Sequence, residues 1–416
     1  MMATTSTRPL TEIKGCEVCG NDKLVPVLDL GLHPLCDDLV TVGDSRQCRE
    51  YPILIDFCPT CATGHQRFQV PKEDLFPRDY HYRSRFTADV LSGMKSLVAT
   101  CAERMGSLTG KVVLDIGCND GSLLDFFREA GAKTAGIEPT GAAQDAAAKG
   151  HFVVQNYLST ETAAEIRRGV GTPDIITFTN VFAHIEDLKG VLAALKALLG
   201  HDTVIVIENH YLGAVLDRHQ FDTFYHEHPR TYSYKSFSFI ARSLGLDIAN
   251  VEFPARYGGN IRVILGGAAS KAGDAVAADV VARENNFQTE FAQLARDVDL
   301  WKARKGEELK TIIAAHGPIR AKAFPGRAAI LVKLLGLTEK EIVAVHEKPG
   351  SIKIGHYVPG TRIPIVSDDE LFARGDQGKP LLNLAWHISP EIRQYLSDNG
   401  YKGPVIDVLG AGDFHA

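Results

Sequence analysis

The sequence predicts an α/β protein with a doubly wound, largely parallel sheet, and three observations support this prediction. From Lys111 onward, short β-branched segments alternate with helical patterns, an order typical of a sheet with helices on both faces. The first segment runs into a glycine-broken turn followed by an amphipathic helical pattern. Six of the eight cysteines lie within the first 61 residues, which indicates a separate, small N-terminal domain.

The chain length predicts more than one domain. At 416 residues it exceeds the roughly 250–300 residues at which single hydrophobic cores stop growing. We expect a cysteine-containing domain over residues 13–75, the doubly wound sheet over residues 76–280, and a long helix followed by a second α/β region over residues 281–416.

Composition and charge exclude several classes of function. The net charge is −6 and no basic stretch stands out, which argues against a nucleic-acid partner. There is no run of about 18 apolar residues and no order of charged then apolar residues typical of a secretory signal. We expect a cytoplasmic protein without a membrane partner, as a monomer or weak dimer.

The N-terminal cysteines form two C-x-x-C pairs, Cys16 with Cys19 and Cys58 with Cys61, each followed closely by a glycine. Four thiolates suit a closed, structural zinc site. Free thiols or a redox pair are the alternative. His33 or His65 could replace one ligand, whereas three further cysteines have no comparable partner: Cys36, Cys48 and Cys101.

The central segment carries a predicted cofactor site. A strand leads into Asp115-Ile-Gly-Cys-Asn-Asp-Gly121, and one βα unit later a second strand ends at Glu138, where a carboxylate can accept hydrogen bonds from ribose hydroxyls. Further strands are predicted near residues 174–180 and 203–208. Because ligands bind at the carboxyl ends of such strands, six residues should converge on one crevice: Asp115, Gly117, Gly121, Glu138, Asn180 and His184. A dinucleotide site is disfavoured because the turn lacks Gly-x-Gly-x-x-Gly.

The stretch Tyr225-His-Glu-His228 crowds a phenol, two imidazoles and a carboxylate into four positions. In an extended segment, Tyr225 and Glu227 share one face, and His226 and His228 share the other. A catalytic metal would need a third ligand, and a polar loop without chemistry is a further alternative. The nearby crevice favours an acid/base site, since histidine takes up protons near neutral pH.

Read in order, the motifs resemble those of one family: two C-x-x-C pairs, LDIGCNDGS, NVFAHIEDL, FDTFYHEH and YGGNIRV. This order is similar to that of the S-adenosylmethionine-dependent sugar C-methyltransferases that act on nucleotide-linked keto-deoxysugars. The resemblance implies a small N-terminal zinc-binding domain, a class I methyltransferase doubly wound sheet and a C-terminal Rossmann-like α/β domain. It implies S-adenosylmethionine as cofactor, Zn²⁺ in a structural role, and a cofactor-binding turn that includes Asn119.

The resemblance also implies catalytic roles. His228 would remove a proton next to the ketone, with Tyr225 and His184 near the developing enolate and Glu227 orienting one of them. The substrate would be a nucleoside-diphosphate keto-sugar methylated at C3. Other possibilities remain a non-sugar metabolite or an inactive binding module with the same fold.

Several residues are candidates for holding the substrate. Tyr82 precedes the sheet domain, and Asn260 and Arg262 follow a pair of glycines that permits close backbone approach. A diphosphate could be held by four basic residues of the C-terminal region, although each could also be a solvated surface cation: Arg320, Lys322, Arg327 and Lys353.

The C-terminal region predicts a long amphipathic helix over residues 281–315. Its apolar stripe is more typical of a core than of a ligand site and comprises Phe287, Phe291, Leu294, Val298 and Trp301. Strands of a second sheet are predicted at residues 328–332, 341–345 and 380–385.

Overall fold

A computed structural model describes residues 9–75, 83–86, 88–267, 271–373 and 378–414. These residues pack into two compact units. The first unit comprises residues through Val25, Asp56–Val215 and Glu227–Gln288; the second comprises Pro26–Ile55, Leu216–His226 and the chain from Thr289 onward. These units are defined by how the residues pack, so they do not test the three predicted domain boundaries, which stay predictions.

The first unit is built on a seven-stranded sheet. In chain order its strands are β1 (Val112–Ile116), β2 (Lys133–Ile137), β3 (Phe152–Val154), β4 (Ile175–Thr179), β5 (Val204–His210), β6 (Ile248–Glu252) and β7 (Asn260–Leu265). Their spatial order is β6-β7-β5-β4-β1-β2-β3. The strands β1 to β5 pair in parallel, and β7 is antiparallel to both neighbours. This arrangement confirms the predicted class I methyltransferase sheet.

The central strands are apolar over nearly their whole length because helices cover the sheet. Val113, Leu114, Ile175 and Ile176 are all fully buried, as expected for parallel strands with two covered faces. The helices of this unit are Lys72–Leu75, Ala88–Met105, Ser122–Glu129, Ala142–Ala148, Thr160–Val170, Leu188–Leu198, Tyr234–Ser243 and Lys271–Glu284, and Leu212–Asp217 begins in it.

The cysteine pairs of the first unit lie beside short strands. Thr11–Glu12 pairs antiparallel with Phe68–Gln69, and Thr63–Gln66 pairs antiparallel with Arg230–Thr231. The predicted strand at Tyr51–Phe57 is observed as Glu50–Cys58, so that Cys58 is its last residue. A strand therefore carries the chain directly into the second cysteine pair.

The second unit contains a five-stranded parallel sheet. Its strands are β8 (Ile319–Lys322), β9 (Ile342–Glu347), β10 (Ile365–Ser367), β11 (Leu381–Asn383) and β12 (Val405–Asp407), in the spatial order β10-β9-β8-β11-β12. This is the strand order of one half of a Rossmann fold extended by two strands, and it confirms the predicted second α/β region. Its helices are Ala328–Leu334, Asp368–Phe372 and Ser389–Asp398, together with most of Phe287–His316.

Two predictions for this region were wrong in detail. Residues 328–332 form a helix, Ala328–Leu334, and not a strand. All five residues are buried, and a short, continuously apolar run does not distinguish a buried helix from a buried strand. The long helix begins at Phe287 and is separate from Lys271–Glu284. Its apolar stripe is buried as predicted, with Phe287, Phe291 and Trp301 fully inaccessible.

In the described part of the chain, no helix combines the length and hydropathy needed to cross a bilayer.

Candidate active site

A cavity of about 380 Å³ lies within the first unit, beside the carboxyl ends of its parallel strands. Its volume falls in the range of roughly 300–1,000 Å³ that is typical of small-molecule sites. Four predicted cofactor residues and one predicted catalytic residue line it along with apolar walls: Gly117, Asn119, Glu138, Asn180, His184, Ile116, Ile137, Phe178 and Val181. The structure therefore brings most of the predicted crevice together.

The turn after β1 needs its first glycine for both shape and space. Gly117 has φ 72°, and a Cβ there would lie 2.6 Å from a methyl group of Val181. Asn119 also adopts a left-handed conformation, with φ 47°, which asparagine tolerates better than most residues. Its side-chain oxygen accepts a hydrogen bond from the backbone N–H of Ser84 at 3.0 Å. Asn119 thus borders the cavity while it holds the segment that precedes the sheet.

Glu138 follows β2 and is buried at the cavity wall. One carboxylate oxygen accepts from the backbone N–H of Asn119 at 3.0 Å, and the other accepts from that of Thr140 at 2.8 Å. A carboxylate has about four acceptor sites, so these two bonds orient Glu138 and leave capacity for ribose hydroxyls. The glycine turn, the oriented carboxylate and the cavity volume fit S-adenosylmethionine.

Two predicted cofactor residues serve the packing of the sheet. Asp115 lies within β1, is buried, and accepts a hydrogen bond from the hydroxyl of Thr177 on β4 at 2.7 Å. Burial raises the pKa of Asp115 to about 7, and the bond from Thr177 lowers it. Gly121 has φ 75°, and a Cβ there would lie 2.9 Å from side-chain atoms of both Ala146 and His151. Neither Asp115 nor Gly121 lines the cavity.

Asn180 is held by a buried polar network rather than by its own strand alone. It follows β4 with φ 54°, and its backbone N–H donates to the carbonyl oxygen of Glu208 at 2.8 Å. The amide of Asn260 donates to the side-chain oxygen of Asn180 at 3.2 Å and to the carboxylate of Glu208 at 3.0 Å. Asn260 was predicted to contact the substrate, but its amide instead donates a hydrogen bond to Asn180, which lines the cavity.

Arg262 is committed to two carboxylates. Its guanidinium lies 2.7 Å from Glu208 and 2.9 Å from Glu252, and its side chain is 2% exposed. A guanidinium paired in this way has little capacity left for a substrate diphosphate. This pairing could not be predicted from the sequence, because the two glutamates that pair with Arg262 lie 54 and 10 positions away from it along the chain.

His184 ends a short helical turn, Phe182–His184, and borders the cavity. Its Nδ1 lies 2.8 Å from the carbonyl oxygen of Glu227, which can only accept, so Nδ1 carries the hydrogen. Burial lowers the pKa of His184 to about 4, although the bond to Glu227 raises it. At neutral pH the imidazole is therefore uncharged, with Nε2 as an acceptor.

The boundary between the two units falls within the Tyr225–His228 motif. Glu227 and His228 belong to the first unit, where the ring of His228 lies edge-on to His184 with centroids 4.7 Å apart. Tyr225 and His226 belong to the second unit. There His226 is buried, and its Nε2 donates to the carbonyl oxygen of Tyr51 at 3.1 Å. The two histidines of the motif therefore have different partners, Tyr51 for His226 and His184 for His228.

Two features of this region were missed by the sequence analysis. His210, at the end of β5, packs against His228 with ring centroids 5.5 Å apart. The hydroxyl of Thr179, at the end of β4, belongs to a cavity-lining residue and is buried, with no hydrogen-bond partner among the residues that the structure describes. Thr179 lies near the end of one predicted strand and His210 lies two residues beyond another, and those positions were the available signal.

The four cysteines of the C-x-x-C pairs meet in the first unit, and their sulfur atoms all lie within 4.8 Å of one another. Tetrahedral Zn–S bonds of about 2.3 Å place sulfurs roughly 3.8 Å apart. The observed separations of 3.4 Å between Cys16 and Cys61 and 3.5 Å between Cys19 and Cys58 fit this ion. The two knuckles turn at left-handed residues, Gly20 and, unexpectedly, Ala62.

Other polar groups surround the sulfurs without joining the cluster. Nε2 of His65 lies 3.3 Å from Sγ of Cys16, and the hydroxyl of Thr63 lies 3.0 Å from Sγ of Cys61. Such contacts orient ligands and moderate the charge on thiolates. His33 instead contacts the carbonyl oxygen of Leu30 at 2.7 Å, so the four cysteines stay the predicted ligand set.

The predicted diphosphate residues of the second unit have protein partners. Lys322 is buried and pairs with Asp368 at 2.7 Å, and Lys353 donates to the carbonyl oxygen of Phe324 at 2.7 Å. Arg320 contacts His346 at 2.9 Å, and Arg327 lies 3.3 Å from Asp222. Each of the four cations therefore has a partner within the protein, and Lys322 is also buried. The predicted substrate residue Tyr82 lies outside the described residues.

Comparison with known proteins covers nearly the whole chain. Family models match in succession a zinc binding domain at residues 16–76, a methyltransferase domain at residues 84–251 and a C-methyltransferase C-terminal domain at residues 255–404. The chain is 29% identical over 408 residues to C-methyltransferase NovU of Streptomyces niveus, covering 94% of each protein.

More limited similarities involve the central region. A ubiquinone biosynthesis O-methyltransferase of Pasteurella multocida is 30% identical over 116 residues, which are 25% of this chain and 48% of that protein. Magnesium protoporphyrin IX methyltransferase of Synechocystis PCC 6803, solved with bound S-adenosylhomocysteine, has a TM-score of 0.34 and 18% identity, covering 43% of this chain and 83% of that one. The three successive domain matches and the similarity to NovU along both chains indicate an S-adenosylmethionine-dependent C-methyltransferase with a zinc-binding domain.

Proposed function

We propose that the protein methylates a carbon next to a ketone, namely C3 of a nucleotide-linked 4-keto-deoxysugar. The observation that carries this proposal is the contact between His184, which borders the cavity, and His228, 4.7 Å away between ring centroids. Carbon is a poor nucleophile until a proton is removed beside a carbonyl group, and a pair of imidazoles can provide the base. The motif order that resembles sugar C-methyltransferases supports the substrate class.

In this proposal His228 takes the C3 proton of the substrate. The ketone makes that proton acidic because the remaining electron pair is delocalised onto oxygen. Glu227 precedes His228, and its backbone carbonyl fixes the tautomer of His184. Tyr225 donates a hydrogen bond to the enolate oxygen. His184 is less suited to that donation, since its Nδ1–H is engaged and its lowered pKa keeps Nε2 unprotonated at neutral pH.

His184 is a second candidate for the base. Among the four predicted catalytic residues, only His184 borders the cavity in the described part of the chain. Its Nε2 is an acceptor at neutral pH, as a base must be. His228 would then act through its ring contact with His184. If His228 is the base, substituting His228 abolishes proton removal. If His184 is the base, substituting His184 abolishes it.

S-adenosylmethionine, when bound, supplies an activated methyl group for the carbon nucleophile. Gly117 leaves room for its amino-acid portion, and Glu138 would accept hydrogen bonds from its ribose. Asn119 and Asn180 border the same cavity. The chain's own contribution is to orient the two reactants and to exclude water, which together supply much of the rate.

We further propose a cytoplasmic protein, acting as a monomer or weak dimer, with domains over residues 13–75, 76–280 and 281–416. A non-sugar ketone is the alternative substrate. An inactive binding module is disfavoured by the retained Glu138, Asn180 and His184, which an inert fold would not need.

The first test is solvent exchange. The protein would be incubated in D₂O with S-adenosylhomocysteine and a dTDP-4-keto-6-deoxyhexose, and deuterium at C3 followed by NMR. We expect exchange without methylation in the wild type. Loss in His228→Asn with retention in His184→Asn assigns the base to His228, and the reverse assigns it to His184. No exchange with the sugar, despite S-adenosylhomocysteine binding by calorimetry, would contradict the sugar substrate.

A further inference from the structure

Two chain segments of the first unit, which carry the two histidines in contact, bind each other through reciprocal hydrogen bonds. Nδ1 of His184 donates to the backbone carbonyl oxygen of Glu227 at 2.8 Å. In the opposite direction, the guanidinium of Arg230 donates to the backbone carbonyl oxygens of Ile185 and Glu186. Each segment thus contributes a side chain that binds the backbone of the other.

Arg230 is fully buried, and two further partners complete its surroundings. Its Nε donates to the hydroxyl of Tyr232 at 3.0 Å, and a terminal nitrogen pairs with the carboxylate of Glu17. A guanidinium holds its five N–H donors in a planar, rigid fork and stays charged when it is buried. Because this fork binds a carboxylate, a hydroxyl and two carbonyl groups at once, the placement of Arg230 is fixed.

Glu17 supplies the counter-charge from inside the first cysteine pair, directly after Cys16. Its carboxylate also accepts a hydrogen bond from the side-chain amide of Gln69 at 2.9 Å and lies 3.9 Å from Nδ1 of His65. The other ring nitrogen of His65 lies 3.3 Å from Sγ of Cys16. The position of Glu17 therefore depends on the cysteine cluster, and Glu17 in turn orients Arg230.

The backbone provides a second connection between the cysteine-containing segment and the end of the motif. The strand Arg230–Thr231 pairs antiparallel with Thr63–Gln66, which closely follows the second cysteine pair. The backbone N–H of Gln66 donates to the carbonyl oxygen of Pro229 at 2.9 Å. This pairing therefore extends to the residue directly after His228.

We propose that the ion pair of Glu17 with Arg230, which we call the knuckle bridge, holds His184 and His228 in the arrangement that removes the substrate proton. The inference rests on the proposed function. Neither residue of the bridge is among those that line the described cavity, so both are positioning residues that act through the backbone. The cysteine cluster thereby contributes to the placement of the two histidines as well as to folding.

The test compares Glu17→Gln with Asp56→Asn. The first keeps the shape of the side chain and removes the charge that pairs with Arg230. The second breaks a different ion pair of the same unit, in which Arg67 lies 2.6 Å from the buried Asp56. With full-length protein, we would measure zinc content, the Tm, kcat and KM for the keto-sugar, and the Cε1–H resonances of His184 and His228 in ¹³C-histidine-labelled protein. Each resonance is assigned by its loss in the corresponding asparagine variant.

For Glu17→Gln we expect wild-type zinc content, about a tenfold loss of kcat, a KM within twofold of the wild type and shifted resonances of both histidines, because a buried guanidinium without its counter-charge moves towards other acceptors. Asp56→Asn should lower the Tm but keep the wild-type kcat and histidine resonances. Glu17→Asp, which keeps the charge on a shorter side chain, should show a smaller change of the same kind, and it replaces Glu17→Gln if that variant loses zinc or does not fold.

Wild-type kcat or unshifted histidine resonances in Glu17→Gln would overturn the knuckle bridge, and so would equal changes in Asp56→Asn. If the wild type turns over no keto-sugar, the proposed function fails separately. The histidine resonances, which need no substrate, then decide the bridge alone. A shift in Glu17→Gln that is missing in Asp56→Asn supports the bridge, whereas no shift, or an equal shift in both variants, overturns it.

Discussion

The imidazole of His184 lies edge-on to the imidazole of His228, with 4.7 Å between ring centroids, and its Nδ1 lies 2.8 Å from the carbonyl oxygen of Glu227. One hydrogen bond thus fixes the tautomer of the histidine at the cavity wall, and that histidine in turn packs against the predicted base. Substitutions that alter either ring should affect chemistry more than cofactor binding.

Replacing His228 with asparagine should lower turnover and C3 exchange by about 10²–10⁴-fold, the usual contribution of a general base. The affinity for S-adenosylhomocysteine should stay within threefold, since His228 does not border the cavity. His201→Asn is the matched control, because that side chain is 96% exposed in the same unit. Wild-type exchange by His228→Asn would exclude His228 as the base.

Replacing Glu138 with glutamine should weaken S-adenosylhomocysteine binding by roughly 10- to 100-fold. This corresponds to the 1.5–3 kcal/mol typical of hydrogen bonds to a charged group. Calorimetric titration measures the change, and Glu165→Gln on the exposed surface is the control. An unchanged dissociation constant would mean that the ribose binds elsewhere.

Removing one zinc ligand should unfold the cysteine cluster. We expect elemental analysis to find one zinc ion per wild-type chain and none in Cys61→Ser. The Tm of that variant should be lower by about 5–10 °C, since structural zinc contributes directly to folding. Cys48→Ser should retain both zinc and Tm, because that thiol instead contacts the carbonyl oxygen of Asp38. Full zinc occupancy in Cys61→Ser would rule out the four-cysteine site.

The contribution of His184 and His226 to the free energy of unfolding should fall as the pH is lowered from 6.5 to 4, whereas Asp115, whose pKa is raised, contributes in the opposite sense. Burial lowers the pKa of both His184 and His226 to about 4 in the folded protein. The unfolded chain, whose histidines titrate near 6.5, therefore binds more protons over this window, and the stabilisation is complete only above it. His226→Gln should show a shallower dependence in urea titrations, whereas His201→Gln should not. Equal slopes in all three proteins would refute the buried, neutral state of His226.

The sequence by itself determined the two sheets, the four-cysteine cluster and most of the cavity. These features depend on residue types at fixed spacing within short segments, and such patterns can be recognised from the sequence alone. Thiolates need fixed spacing within a knuckle, and a turn that admits a ligand needs residues such as Gly117 and Asn119 that tolerate positive φ. Glu138 was predictable because the carboxyl end of a parallel strand has a known place in the fold.

Only the tertiary structure decided how the buried charges are paired. Arg262 and Arg327 were expected to contact substrate, but carboxylates distant in sequence, Glu208 and Asp222, lie beside them. Asp115 likewise bonds to Thr177 on a neighbouring strand. A buried charge must find a partner because leaving it unpaired costs several kcal/mol. Many residues along a chain could pair with a given buried charge. Which of them does so depends on how the helices and strands pack, and the sequence pattern does not predict that packing.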